Sequence, residues 1–144
     1  MLVQLILKSK AGAAVVTVAP NASVADAAAL LSDKGIGTVV VSSDGKTAEG
    51  ILSERDIVRE LGKSGSGCLG KPVSAYMTTK LVTCSRQSNV EDILQQMTTG
   101  RFRHMPVVED GEMVGLVSLG DVVKAQLAEI AMEKNALEGM IMGH

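Results

Sequence analysis

A chain of 144 residues has room for one ordinary domain or for two small modules sharing a core, which excludes a large active-site scaffold. Apolar residues make up 46 %, yet Tyr76 and Phe102 are the only aromatics, so the interior is aliphatic and the platforms on which single-stranded nucleic acid stacks are missing. A formal charge of −2, from 14 basic and 16 acidic side chains, supplies no field to draw in a nucleic-acid polymer.

In chain order, Met1 to Leu7 is a short apolar lead-in with no basic region before it and no small-residue cleavage pattern after it. Nowhere do about 18 apolar residues run together, so neither export nor a membrane span is expected. Val15 to Val18 is a β-branched run that reads as a strand. Ser23 to Ser32 is a polar cap followed by Ala and Leu at helical spacing. Gly37 to Ser42 predicts a strand running into the turn pair Asp44-Gly45, and Glu49 to Leu52 pairs back as its hairpin partner. Ser53 caps a helix through Leu61, with Glu54 and Asp56 in the first turn where negative charge suits the helix dipole. Gly62 to Pro72, rich in Gly, Ser and Lys, has the composition of a flexible link. Then come a strand at Val82-Thr83, a helix over Val90 to Thr99, strands at His104 to Val108 and Met113 to Val117 around the turn Asp110-Gly111, and a helix opening at Ser118. Leu127 to Met142 keeps helical composition with charges interspersed, which predicts an exposed terminal helix and a frayed Gly143-His144 end.

These elements form a repeat. Thr17 matches Thr83 (83 − 17 = 66), and the same shift carries Val24 to Val90, Asp26 to Asp92, Val41 to Val107, Asp44 to Asp110 and Gly45 to Gly111. One residue fewer in the second turn makes the shift 65 (115 − 50), after which Gly50 meets Gly115, Ser53 meets Ser118, Asp56 meets Asp121 and Val58 meets Val123. The chain therefore divides into a first β-α-β-β-α motif with its lead-in (1–62), a link (63–72), a second motif (73–126) and a helical tail (127–144).

At the junction of last strand and last helix the halves read Gly50-Ile51-Leu52-Ser53-Glu54-Arg55-Asp56 and Gly115-Leu116-Val117-Ser118-Leu119-Gly120-Asp121. Both fit G-h-h-[ST]-x-x-D. Duplicated at this spacing, from about Val15 to Gln126, the pattern resembles the pair of cystathionine β-synthase-type (CBS) domains known as a Bateman module. His104 to Val108 is similar to that family's central strand. The resemblance implies an α/β fold of the α+β type, with tandem motifs related by a pseudo-two-fold axis and two such pairs joined as a disc-shaped homodimer. It also implies two clefts for adenosyl ligands such as AMP, ADP, ATP, NAD or S-adenosylmethionine.

Carried onto this chain, the resemblance makes Asp56 and Asp121 the ribose holders and Ser53 and Ser118 the phosphate-side residues. A carboxylate one turn into a helix can accept from both ribose hydroxyls while the hydroxyl and free helix amides face a phosphate. The same Ser-x-x-Asp is also a plain capping arrangement, so both readings stand. Thr17 and Thr83 occupy the first-strand position that lines the family's clefts beside the base, or serve only as β-formers. Ile36 would cover the base, and Gly37 would allow close backbone approach.

The halves differ where phosphate charge would be met: Arg101, Arg103 and His104 stand where the first half has Gly35, Gly37 and Thr38. Arg55 in the first motif has no basic counterpart in the second. Either these are surface arginines and a buried strand histidine, or they gather at the better of two unequal sites, with Arg103, His104 and Arg55 around a phosphate.

Catalytic chemistry finds little support. The two histidines, the isolated Cys68 and Cys84, and a Gly62-Lys63-Ser64 lacking its opening glycine match no nucleophile, metal or phosphate-loop pattern. The expectation is a cytoplasmic regulatory protein, not an enzyme, that senses an adenine nucleotide and is read by an effector protein, with no membrane or nucleic-acid partner. The rival is a structural dimerisation or protein-interaction module with vestigial clefts.

Overall fold

The computed structural model describes residues 1–10 and 14–141; Met142 and the Gly143-His144 end of the expected tail lie outside them. The elements are α1 (Val3–Ser9), β1 (Thr17–Val18), α2 (Val24–Lys34), β2 (Thr38–Val41), β3 (Gly50–Ser53), α3 (Glu54–Ser64), α4 (Val90–Gly100), β4 (His104–Glu109), β5 (Glu112–Ser118) and α5 (Leu119–Ile141). This is the expected mixed α/β arrangement with its two-motif repeat.

Local chemistry sets the boundaries. Ser23 Oγ accepts from the Asp26 amide at 3.0 Å to open α2, and Asn89 Oδ1 accepts from the Glu91 amide at 2.8 Å to open α4. Helix α2 ends on Gly35 at φ +62°, the left-handed conformation that glycine adopts without penalty. Asp110 and Gly111 both have positive φ, 51° and 79°, as a two-residue hairpin turn between β4 and β5 requires.

Strands β1, β2 and β3 form one sheet, with β1 parallel and β3 antiparallel to β2, and β4 pairs antiparallel with β5 in a second. Every residue of β2 is buried, as befits a central strand covered on both faces. The expected strand at Val82-Thr83 does not form; only Cys84 bridges to Val107, the counterpart of the Val18 to Val41 pairing. Pro106 is the reason. In the first half the Val40 amide donates to the Val16 carbonyl, but its equivalent is a proline with no N–H, so that rung is lost and the ladder shrinks to the two bonds of Cys84, whose amide donates to the Pro106 carbonyl and whose carbonyl accepts from the Val108 amide.

Each half has its own aliphatic core. Val24, Ala27, Leu31, Val39, Val41, Leu52, Ile57 and Val73 form the first, and Val90, Ile93, Met97, Met105, Val107, Val117 and Val122 form the second with Val3 and Ile6. The lead-ins are thus exchanged. Helix α1 plugs the second half, whereas Val73, just after the link, plugs the first. Leu2 bridges to Asn89 as Pro72 bridges to Ser23, the residues that cap α4 and α2.

Two expectations need correction. The link is not slack: α3 runs on to Ser64, a 3₁₀ helix spans Gly65–Gly70, and Cys68 in it is fully buried. Glycine-rich composition marked a tight path here, with Gly65 at φ +69°. The tail is not a separate element either, because α5 continues without a break from the second motif to Ile141.

Candidate functional site

The two motifs meet at the starts of β2 and β4. Thr38 and His104, equivalent by the repeat, face each other there, with Thr38 Oγ1 and His104 Nδ1 3.2 Å apart. A cleft opens on each side of this pair, and both residues line both clefts. The cavities measure about 500 and about 450 Å³, within the range that holds small ligands.

Each cleft takes its walls from both halves. The first is lined by Val16, Ile36, Gly37 and Thr38 of motif one and by Gly115, Leu116 and Ser118 of motif two, with Leu7 and Lys10 from the exchanged lead-in. The second reverses the roles: Val82, Phe102, Arg103 and His104 face Ile51, Ser53, Arg55 and Asp56, with Lys80 after the link.

Their electrostatics differ sharply. Five basic side chains, Arg55, Arg59, Lys80, Arg101 and Arg103, line the second cleft against two acidic ones, Glu54 and Asp56. Among the described residues Lys10 is the single lysine or arginine lining the first, and its Nζ is committed to Asp121 Oδ2 at 2.8 Å and the Leu116 carbonyl at 2.9 Å. Arg101 ends α4 at φ 57°, where the first half has Gly35. A non-glycine residue held there costs about 1 kcal/mol, a penalty accepted where the arginine borders the cationic cleft.

Both Ser-x-x-Asp motifs cap their helices. Ser53 Oγ accepts from the Asp56 amide at 3.3 Å while Asp56 Oδ2 accepts from the Ser53 amide at 2.9 Å. Ser118 and Asp121 repeat the exchange at 3.1 and 2.9 Å. Asp56 is 9 % exposed and its Oδ1 holds Arg59 Nη2 at 2.7 Å. The first-turn amides are largely taken: Glu54 N donates to the Gly37 carbonyl and Leu119 N to that of Arg103. Burial pushes the Asp121 carboxyl upward, but the Lys10 ammonium and the Ser118 amide outweigh it and hold the group below its ordinary value.

Of the residues singled out from sequence, Arg55, Arg101, Arg103, Ser53 and Asp56 come together on the second cleft, and Ile36 and Ser118 on the first, with Gly37 and His104 on both. Asp121 reaches the first through Lys10. The acid beside the arginines is therefore Asp56. Thr17 and Thr83 line neither; their neighbours Val16 and Val82 do, one on each cleft. Sequence reasoning missed Lys10, Lys80, Arg59 and Phe102. A slide of 70 residues (80 − 10) would have found the lysines, since it matches Val3 with Val73, Leu7 with Met77 and Lys10 with Lys80.

Burial lowers the His104 pKa from its ordinary 6.5; Lys10 and Arg103 push the same way and Asp121 opposes them. Below about pH 6.5 the unfolded chain binds a proton that the folded chain resists, so stability should fall as pH drops through that value. His104→Gln should flatten this part of the profile, measured by urea titrations between pH 5 and 7; an unchanged slope would assign it to other groups. The Cys84 thiol is pushed up to about 11, by burial first and then by Glu109, which makes it a poor nucleophile at neutral pH. Among the described residues no His, Cys, Asp and Glu cluster could hold a metal, and no helix is long and apolar enough to cross a membrane.

Comparison with known proteins gives a consistent picture. The family model for the CBS domain matches residues 12–63 and 73–128. A CBS-domain containing protein from Agrobacterium tumefaciens superposes with a TM-score of 0.82 at 41 % identity, covering 88 % of this chain and 99 % of that one. A mitochondrial CBS domain-containing protein of Arabidopsis thaliana is 35 % identical over 125 residues, 84 % of this chain but only 61 % of the relative's length. A CBS domain-containing protein of Bacillus subtilis is 35 % identical over 115 residues, 79 % of this chain and 80 % of its own. At 24 % identity, a CBS domain protein of Pyrobaculum aerophilum complexed with AMP shares the fold, with a TM-score of 0.77 over 92 % of this chain and 99 % of that one.

Proposed function

The chain belongs to the CBS-domain family, one domain in each half, and we propose that it is a non-catalytic regulatory module that senses an adenine nucleotide. The observation that carries this reading is the convergence of Arg55, Arg59, Lys80, Arg101 and Arg103 on a cavity of about 450 Å³ above the Ser53–Asp56 helix start. An arginine fork suits phosphate oxygens, and two or more facing one cavity suit a ligand with several. The AMP-bound relative lends the choice of an adenosyl group. In this reading AMP, ADP, ATP or NAD enters the second cleft, phosphates toward Arg103 and Arg55. The ribose reaches Asp56 once Arg59 turns aside. The first cleft, whose Lys10 is already paired with Asp121, takes an uncharged adenosyl compound or stays empty.

Sensing requires that the ligand prefer one relative placement of the motifs. The Thr38–His104 contact between the clefts is where such a preference would be felt. An effector protein reads the result. Val58 and Val123, 67 % and 39 % exposed beside the buried Ile57 and Val122, offer matching apolar faces for a homodimer. Two free cysteines, Cys68 and Cys84, suit a reducing cytoplasm.

Thermal melts with AMP, ATP, NAD and S-adenosylmethionine test the reading. A ligand at 100 times its dissociation constant adds about 2.7 kcal/mol of apparent stability, so a clear upward shift with at least one is expected. No shift with any of them would favour a structural dimerisation or interaction module with unused clefts.

A further inference from the structure

A carboxylate offers about four acceptor positions, two on each oxygen. At Asp56 three of them are taken: Oδ2 accepts from the Ser53 amide at 2.9 Å and the Ser53 hydroxyl at 3.1 Å, and Oδ1 accepts from Arg59 Nη2 at 2.7 Å. The two hydroxyls of a ribose need two positions, and giving up the cap would unfasten the start of α3. Arg59 is therefore the group that must move. Its side chain is 52 % exposed, and Glu60 Oε1, 3.8 Å from its Nε, is too distant for a hydrogen bond to hold it.

Where it moves is set by the helix. Arg55 stands one turn earlier on the same face of α3, and both arginines line the second cleft. Like charges at that spacing repel unless a negative group lies beside them. Asp56 is that group in the structure, and a phosphate can replace it. We infer that Arg59 is a specificity-determining residue of this cleft, an inference that rests on a nucleotide being its ligand. Arg59 withholds Asp56 from nucleosides, which bring nothing to replace the broken ion pair, and yields it to nucleotides, whose phosphate oxygens take over the guanidinium fork. Discrimination of this kind comes from a penalty against the wrong ligand as much as from a contact to the right one. The device is confined to one cleft. Lys124 is the counterpart of Arg59 (124 − 59 = 65), yet Asp121 pairs with Lys10 from the lead-in, on Oδ2, the oxygen that also takes the Ser118 amide.

Titration calorimetry of the full chain with ATP, and with adenosine as its competitor so that only the second cleft is read, tests this. Arg59→Ala should tighten adenosine binding by about threefold, the size of a weak ion pair on a half-exposed arginine. The same variant should weaken ATP binding by about tenfold, because a charged contact to phosphate is lost. Arg59→Gln, which keeps the stem on the helix, should shift the two ligands in the same directions. Added to Asp56→Asn, Arg59→Ala should still weaken ATP but bring adenosine no gain. A merely structural arginine would not move the two ligands in opposite directions. Equal losses for both ligands in both Arg59 variants would overturn the inference, and so would an adenosine gain that persists alongside Asp56→Asn. An unaltered chain that binds neither ligand would remove the nucleotide reading, and this inference with it.

Discussion

Replacing Gly50 with alanine is expected to destabilise the fold by about 2–3 kcal/mol, whereas the same change at Gly115 should cost about 1 kcal/mol or less. The two glycines are equivalent by the repeat and open the same motif, but they face different neighbours. A Cβ on Gly50 would lie 2.5 Å from Met77 Sδ, 2.8 Å from Met77 Cγ and 3.1 Å from the Thr78 carbonyl oxygen. That carbonyl cannot retreat, because it accepts from the Ile51 amide at 3.0 Å while the Thr78 amide donates back to the Ile51 carbonyl at 2.9 Å. At Gly115 the obstacle is one methyl of Leu7, Cδ2 at 2.5 Å, with the other Leu7 atoms at 3.6 Å. A leucine can swing its end away. Urea denaturation of both variants decides the matter, and equal losses would contradict the argument.

Arg103→Ala is expected to weaken binding of ATP by about 10- to 100-fold, corresponding to about 1.5–3 kcal/mol for a hydrogen bond to a charged group. The loss should grow from adenosine to AMP to ATP as more phosphate oxygens reach the cationic wall. Raising the salt concentration should narrow the difference, since the cleft is open to solvent ions. Lys10→Ala should leave this series unchanged, because Lys10 lines the other cleft and is held by Asp121 and the Leu116 carbonyl. Titration calorimetry with the three ligands provides the measurement. Equal affinity for adenosine and ATP in the unaltered chain would remove the phosphate from this cleft.

What the sequence disclosed was whatever rests on local pattern. Duplicated Asp-Gly turns, Ala and Leu at helical spacing, and a Ser-x-x-Asp at each last helix were enough to order the motifs and to propose the two-motif fold. The gathering of Arg55 with Arg103 was also anticipated, because the repeat shows which residues of one half lack a counterpart in the other. Other features depend on what happens between distant segments. Helix α1 is seven residues long with no side-chain cap, and Val3 and Ile6 are helical because the second core receives them. The strand expected at Val82-Thr83 failed on Pro106, twenty-four residues away. Lys10 and Lys80 escaped notice because four residues fewer separate the second lead-in from its motif, which hides their correspondence from a single alignment shift. Which aspartate accompanies the arginines could not be read from spacing at all, since each cleft borrows its helix start from the opposite half.

The exchange of lead-ins has a consequence for how the molecule is divided. A cut between Gly70 and Lys71 would leave residues 1–70 holding the stopper for a core they do not contain, and residues 71–144 holding the stopper for the core left behind. The heritable unit is therefore a stopper followed by a motif, although neither copy closes by itself. Opening either lobe must pull on the thread that seals its sibling, so the halves stand or melt together.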